Sequence, residues 1–151
     1  MPKKILIIKS SSMGDIVHAL PVAYDIKKHY PDCELSWVVE ESFTDIPKLS
    51  PFVDKLVVTA FRRWRKNIFS SSVRGEILAV RRALAEAKYD IVIDLQGLIR
   101  TAVVARWAGV ESVGYSKENI KEPLAAHFYS RTLPVSNKLV PVVRYRTMAA
   151  Q

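Results

Sequence analysis

Ile5-Leu6-Ile7-Ile8-Lys9-Ser10-Ser11-Ser12-Met13-Gly14-Asp15-Ile16-Val17-His18 is the stretch that decides the fold. Ile5 to Ile8 is continuously apolar and rich in β-branched residues, the signature of a strand buried on both faces in a parallel sheet. A short Ser/Gly turn follows, and a helical pattern opens near Ile16. Strand, turn and helix in that order form the first crossover of a nucleotide-type α/β fold, whose ligands sit at the carboxyl ends of the strands. The turn lacks the spaced glycines of a dinucleotide fingerprint and the Gly-Lys-Ser/Thr of a phosphate-binding loop. It carries a carboxylate, Asp15, beside helix N-terminal N–H groups that suit anions. The geometry is that of a binding edge, and the chemistry belongs to an acid placed to accept a proton.

Outward from this turn, Ile16 to His29 is predicted as a helix, with Pro21 kinking it or opening its main segment. Glu34 to Val39 reads as a second strand, Phe43 to Leu49 as a short helix or turn stopped by Pro51, and Lys55 to Thr59 as a third strand. Phe61 to Ser72 differs in kind, interleaving Arg62, Arg63, Arg65 and Lys66 with Phe61, Trp64 and Phe69. It reads as a long basic-aromatic loop, and loops of that length tend to be functional. Val73 to Lys88 shows helical spacing of Val73, Ile77, Val80 and Leu84. Asp90 to Leu95 is a strong fourth strand, Gln96-Gly97 a turn, and Leu98 to Ala108 a helix ended by Gly109. Ser112 to Tyr115 is a candidate fifth strand, Pro123 to Tyr129 a helix with proline at its first position, and Val142 to Ala150 a further helical start. Four or five strands alternating with helices make a doubly wound, Rossmann-like parallel sheet the expected α/β architecture, in one domain spanning 1–151.

Composition narrows the function. A length of 151 residues with 49% hydrophobic residues suffices for a globular core. The single cysteine, Cys33, excludes a disulfide framework and a multi-thiolate metal site, which fits a reducing, cytoplasmic setting. No apolar run approaches membrane-spanning length, and Met-Pro-Lys-Lys before a short strand does not make a signal peptide. The formal charge of +8 implies an anionic partner: nucleic acid, phosphorylated glycolipid or a membrane surface.

Each candidate site residue has a plainer reading beside the chemical one. Ser12-x-x-Asp15 approximates a capping box, and on pattern alone Asp15 is preferred as a cap. In that setting its carboxylate stays ionised, a weak base that suffices when the proton leaves late. His18 reads as a packing or surface histidine. The Arg62-Arg63-Trp64-Arg65-Lys66 cluster is either a solvated basic loop with one buried aromatic or a polyanion site, with arginine forks matched to phosphate and carboxylate. Gln96 either bonds backbone groups or meets substrate hydroxyls, and Gly97 serves close approach or a positive φ. Glu40 and Glu41 are expected to hold loop backbone or arginines. Trp37 and Trp107 are expected in the core. No residue cluster has metal-ligand spacing, so no metal is expected.

The Ser-Ser-Met-Gly-Asp turn and the lines Trp37-Val38-Val39-Glu40-Glu41, Arg62 to Lys66, Tyr89 to Leu98 and Glu122-Pro123-Leu124-Ala125 together resemble the lipopolysaccharide heptosyltransferases, glycosyltransferase family 9. The likeness runs in order through nearly the whole chain. It implies the N-terminal half of a GT-B enzyme, with a second domain that supplies most contacts to ADP-heptose lying outside this chain. It further implies inverting, metal-independent transfer of L-glycero-D-manno-heptose to the first Kdo of Kdo2-lipid A, without a cofactor. The enzyme would work at the cytoplasmic face of the inner membrane of a Gram-negative cell, peripheral to the membrane surface.

By the same resemblance Asp15 corresponds to the general base. Ser12, Met13, Gly14, Gln96, Gly97 and Lys121 lie along the substrate, and Arg62, Arg63, Arg65 and Lys66 meet the acceptor's carboxylates and phosphates. Two positions depart from the family pattern: Val140 stands where members often carry histidine before Arg144-Tyr145-Arg146, and Lys121 stands where arginine is expected. Two alternatives remain open here. One is a sister transferase acting on a later core heptose; the other is a nonenzymatic polyanion or nucleic-acid module, although the α/β alternation matches none of the common nucleic-acid modules and no nucleic acid is expected.

Overall fold

The computed structural model describes residues 3–151. Six parallel strands form one sheet: β1 (Lys4–Ile8), β2 (Glu34–Glu40), β3 (Lys55–Thr59), β4 (Ile91–Asp94), β5 (Ser112–Tyr115) and β6 (Arg131–Leu133), in the spatial order β3-β2-β1-β4-β5-β6. This is the doubly wound order, with the chain turning outward in opposite directions from β1. The helices are α1 (Met13–His29), α2 (Asp45–Lys48), α3 (Phe61–Lys66), α4 (Ser71–Ala87), α5 (Ile99–Trp107) and α6 (Pro141–Ala150). Single 3-10 segments cover Glu41–Phe43 and Pro123–Phe128.

The core sits where the apolar runs predict. Leu6, Ile7 and Ile8 are fully buried in the central strand, as are Leu35, Trp37 and Val38 beside them. Helix α1 lays Ile16, Ala19, Val22, Ala23 and Ile26 against the sheet. Pro21 lies inside this helix, where it forgoes one backbone bond without ending it. Trp107 is only half-buried and packs against the core from its margin.

Three expectations need correction. The sheet has six strands because Arg131-Thr132-Leu133 pairs with β5, although it is short, polar and without an apolar run. Short, charged strands are typical of exposed sheet edges. The basic-aromatic segment is not a loop: Phe61–Lys66 is helical, and helix α4 begins at Ser71. Trp64 explains this, since it is buried in a satellite cluster with Ala60 and Val73, packed by Phe61, Ile77 and Val80. Pro123–Phe128 is a 3-10 segment in place of an α-helix.

Gly114 decides how the β5 edge packs. A Cβ there would lie 2.1 Å from Cε2 of the Tyr129 ring, so the bare backbone of β5 makes the space that ring occupies.

Candidate functional site

In the register of the sheet, Ile8 of β1 stands beside both Val38 of β2 and Asp94 of β4. The turns that leave β1 and β4 therefore meet at the point where the strand order reverses, the usual position of a ligand crevice. Gln96 ties the two turns together. Its Oε1 accepts from the Ser11 N–H at 3.4 Å and its Nε2 reaches the Ser11 hydroxyl at 3.5 Å. Of its two anticipated roles, backbone bonding is present in the structure.

Asp15 occupies the first turn of α1, half-buried, among exposed Ser12, Met13 and Gly14. Its Oδ2 accepts from the Ser12 N–H at 3.2 Å and from the Ser12 hydroxyl at 3.0 Å. Its Oδ1 accepts no hydrogen bond among the described residues. Burial pushes the carboxyl up, but the Ser12 donors, the Lys9 ammonium and His18 outweigh it and hold the group below its ordinary value. One oxygen is therefore fixed as a cap, while the other is left without a donor on a half-buried, ionised carboxylate.

Lys9, which the sequence reading did not single out, is buried near enough to this carboxylate for each to act on the other's charge. It is only 4% exposed, its carbonyl accepts from Trp37 Nε1 at 3.1 Å, and its Nζ lies 5.0 Å from the centre of the Tyr145 ring. Desolvation lowers its pKa to about 8 against the pull of Asp15 and Asp94, with Arg144 and Lys121 lowering it further. A cation directly continuing a buried strand into a ligand edge was the available signal.

This arrangement has a stability consequence. The unfolded chain holds the Lys9 proton more tightly than the folded chain, so stability rises between about pH 8 and pH 10.5 as the buried charge is relieved. Lys9→Met is expected to stabilise the chain at pH 7 by about 1–3 kcal/mol and to flatten this rise, as read by thermal melts across that range.

Beside Lys9, Asp94 is fully buried at the end of β4. Its Oδ2 accepts from the Tyr129 hydroxyl at 2.6 Å, and its Oδ1 from the N–H groups of Gln96 at 2.8 Å and Gly97 at 3.3 Å. Burial pushes both Asp94 and Tyr129 up, and for Asp94 these donors oppose the push. The carboxyl thus fixes the turn. Gly97 adopts φ +73°, and a Cβ there would approach Ile120 Cγ1 to 3.0 Å, so both anticipated reasons for glycine are met.

The basic arm is anchored by Glu40. Its carboxylate accepts from the N–H groups of Phe61 at 3.0 Å and Arg62 at 3.1 Å, and from the Thr59 hydroxyl at 3.2 Å. A negative charge thereby sits on the first turn of α3, where the helix favours it. Arg63 is committed within the protein, forked onto Glu41 at 3.1 Å and Glu76 at 2.8 Å. Glu76 also accepts from Trp64 Nε1 at 2.8 Å. Arg62, Arg65 and Lys66 are exposed, and none has a carboxylate within ion-pair distance among the described residues. Lys121 is exposed in the segment after β5. Arg144 of α6, also not singled out, lays its guanidinium 3.9 Å from the centre of the Tyr115 ring and donates to the Asn119 carbonyl at 2.6 Å. Among the described residues no group of His, Cys, Asp and Glu could hold a metal ion, and no helix is long and apolar enough to cross a membrane.

Residues 77–151 match the family described as glycosyltransferase family 9 (heptosyltransferase). The chain is 40% identical over 149 residues to lipopolysaccharide heptosyltransferase 1 of Pseudomonas aeruginosa, covering 98% of this chain and 42% of that protein. It is likewise 40% identical to the Escherichia coli K12 protein of the same name, covering 98% and 47%. The structure of E. coli heptosyltransferase WaaC with ADP-2-deoxy-2-fluoro heptose superposes with a TM-score of 0.92 at 39% identity, over 97% of this chain and 47% of that one. E. coli ADP-heptose LPS heptosyltransferase II shares the fold at a TM-score of 0.73 and 18% identity, over 97% of this chain and 40% of that one. The chain thus spans less than half the length of these relatives. A parallel sheet in the 3-2-1-4-5-6 order, an acid on its first crossover and this degree of likeness place the chain in glycosyltransferase family 9, the heptosyltransferases.

Proposed function

We propose that this chain is the acceptor-binding domain of an enzyme that transfers L-glycero-D-manno-heptose from ADP-heptose to the first Kdo of Kdo2-lipid A. The observation that carries the reading is the half-open Asp15 carboxylate at the strand reversal, ionised and backed by the buried Lys9. In the proposed reaction the acceptor hydroxyl oxygen bonds to the anomeric carbon as the bond to the ADP phosphate breaks. Asp15 Oδ1 takes the hydroxyl proton and ADP departs, inverting the anomeric centre with no metal or cofactor. The relatives named for heptose transfer and the WaaC complex with an ADP-heptose analogue support this reading. The ADP-heptose contacts fall to a second domain outside this chain, and the enzyme works on the cytoplasmic face of the inner membrane.

Arg62, Arg65 and Lys66 serve the acceptor's carboxylates and phosphates, with Lys121, Gln96 and the 12–14 turn nearer the sugar. Calorimetric titration of this chain with a soluble, deacylated Kdo-lipid A analogue, with ADP-heptose and with duplex DNA tests the division of labour. Binding of the analogue is expected, weakened roughly tenfold by each of Arg62→Ala and Arg65→Ala through loss of about 1–2 kcal/mol of charge-assisted hydrogen bonding. Tight ADP-heptose binding would assign the donor site to this domain. Steeply salt-dependent DNA binding without glycolipid binding would end the transferase reading.

A further inference from the structure

The turn between α3 and α4, residues 67–70, presents apolar side chains outward. Phe69 is 86% exposed and Ile68 46% exposed, in a protein that buries its other four phenylalanines at least in part. Around them stand Arg62, Arg65, Lys66 and, on the first turn of α4, Arg74, all exposed. The nearby carboxylates are already committed: Glu41 and Glu76 clasp Arg63, and Glu40 holds the backbone of α3. None of the four cations has an ion-pair partner among the described residues, so the patch carries uncompensated positive charge around an apolar tip.

We propose that Ile68-Phe69 is a membrane-docking tip that enters the headgroup boundary of an anionic bilayer while Arg62, Arg65, Lys66 and Arg74 engage lipid phosphates. A bilayer accepts an aliphatic and an aromatic side chain alike, whereas stacking on nucleic-acid bases would use Phe69 and leave Ile68 idle. Asn67 and Ser70 to Ser72 flank the tip with small polar groups suited to the wet headgroup layer. Helix α3 is held to α4 by Trp64 and to the end of β2 by Glu40, so the turn that follows it leaves from an anchored helix. This inference deepens the glycolipid reading by naming the surface that faces the bilayer carrying the acceptor. Basic residues near an anionic surface and buried apolar side chains each add to such docking, and several together give reversible attachment.

Sedimentation of this chain with vesicles of phosphatidylglycerol and phosphatidylethanolamine, free of any saccharide, tests the tip. Binding is expected there, absent on pure phosphatidylcholine and reversed by high salt. Phe69→Ser is expected to weaken it about tenfold, Arg65→Ala with Lys66→Ala comparably, and Leu78→Ser, an exposed apolar residue elsewhere on α4, not at all. Undiminished binding by Phe69→Ser, no vesicle binding by the unaltered chain, or retention on duplex DNA in place of vesicles would each overturn the proposal. Because the vesicles carry no sugar, failure here leaves the acceptor assignment standing. Loss of saccharide binding in the calorimetric titration would equally leave this surface untouched.

Discussion

Asp15→Asn in the full-length enzyme is expected to reduce kcat by about 10²–10⁴-fold, the range a general base contributes, with little change in affinity for ADP-heptose. The substitution keeps the shape of the side chain and an oxygen able to accept from Ser12, so the first turn of α1 stays capped. What it removes is the negative charge on the open oxygen and hence the proton acceptor. The separation of rate from donor affinity distinguishes this outcome from collapse of the turn, which would disturb both. The wild-type profile follows from the same geometry. Because the Ser12 donors and Lys9 outweigh burial and hold Asp15 below the ordinary carboxylate range, the acidic loss of turnover due to this group falls below the pH at which a free aspartate titrates. Near-normal turnover in Asp15→Asn would remove Asp15 from the base role.

The second large effect concerns architecture. Gly114→Ala would place a methyl group 2.1 Å from Cε2 and 2.3 Å from Cδ2 of Tyr129, within the ring's own volume. The ring must withdraw, and its hydroxyl then leaves Asp94, a fully buried carboxyl that loses its 2.6 Å donor. Overpacking and a stranded buried acceptor together cost about 3–5 kcal/mol, a large share of the roughly 5–15 kcal/mol that holds a domain folded. A fall in melting temperature of about 10 °C or more is expected. Gly75→Ala is the control: nothing lies within 4 Å of a Cβ there, and an alanine in α4 is expected to stabilise by about 0.5–1 kcal/mol. Equal behaviour of the two variants in thermal melts would show that Tyr129 has a second place to go.

Much of this organisation was legible in the chain because hydrophobic runs and their breakers act locally. Ile5 to Ile8 could only be a buried strand, and Lys55–Thr59 and Ser112–Tyr115 fall where the run and its flanking turns put them. Asp15 was visible because its turn has no other chemistry to offer. Glu40 and Glu41 hold backbone and arginine as anticipated, since a carboxylate at a strand end has few other means of being satisfied. The features that escaped notice are those made by long-range packing. Nothing local marks Arg131-Thr132-Leu133 as a strand until β5 offers its edge. The charges of Phe61–Lys66 obscured a helix whose signal was the Phe61/Trp64 pair, one turn apart and resting on Val73. Lys9 looks solvated in sequence but is buried in the fold, with the ring of Tyr145, far along the chain, beside its ammonium. The bond between Asp94 and Tyr129, 35 residues apart, belongs to no local pattern.

The strand order also has a consequence for synthesis on the ribosome. The first strand made, β1, is the one that ends in the middle of the sheet, with β2 on one side and β4 on the other. Its β2 edge can close early, but the opposite edge stays unpaired until Ile91–Asp94 has emerged. During that interval Ile5 to Ile8 is an apolar strand with one open flank, the form of nascent chain that chaperones shield and that pairs wrongly with neighbours. The crevice shares this timetable, because Ser11 meets Gln96 only when β4 has docked against β1. The domain thus acquires its central strand pairing and its ligand edge in the same late event.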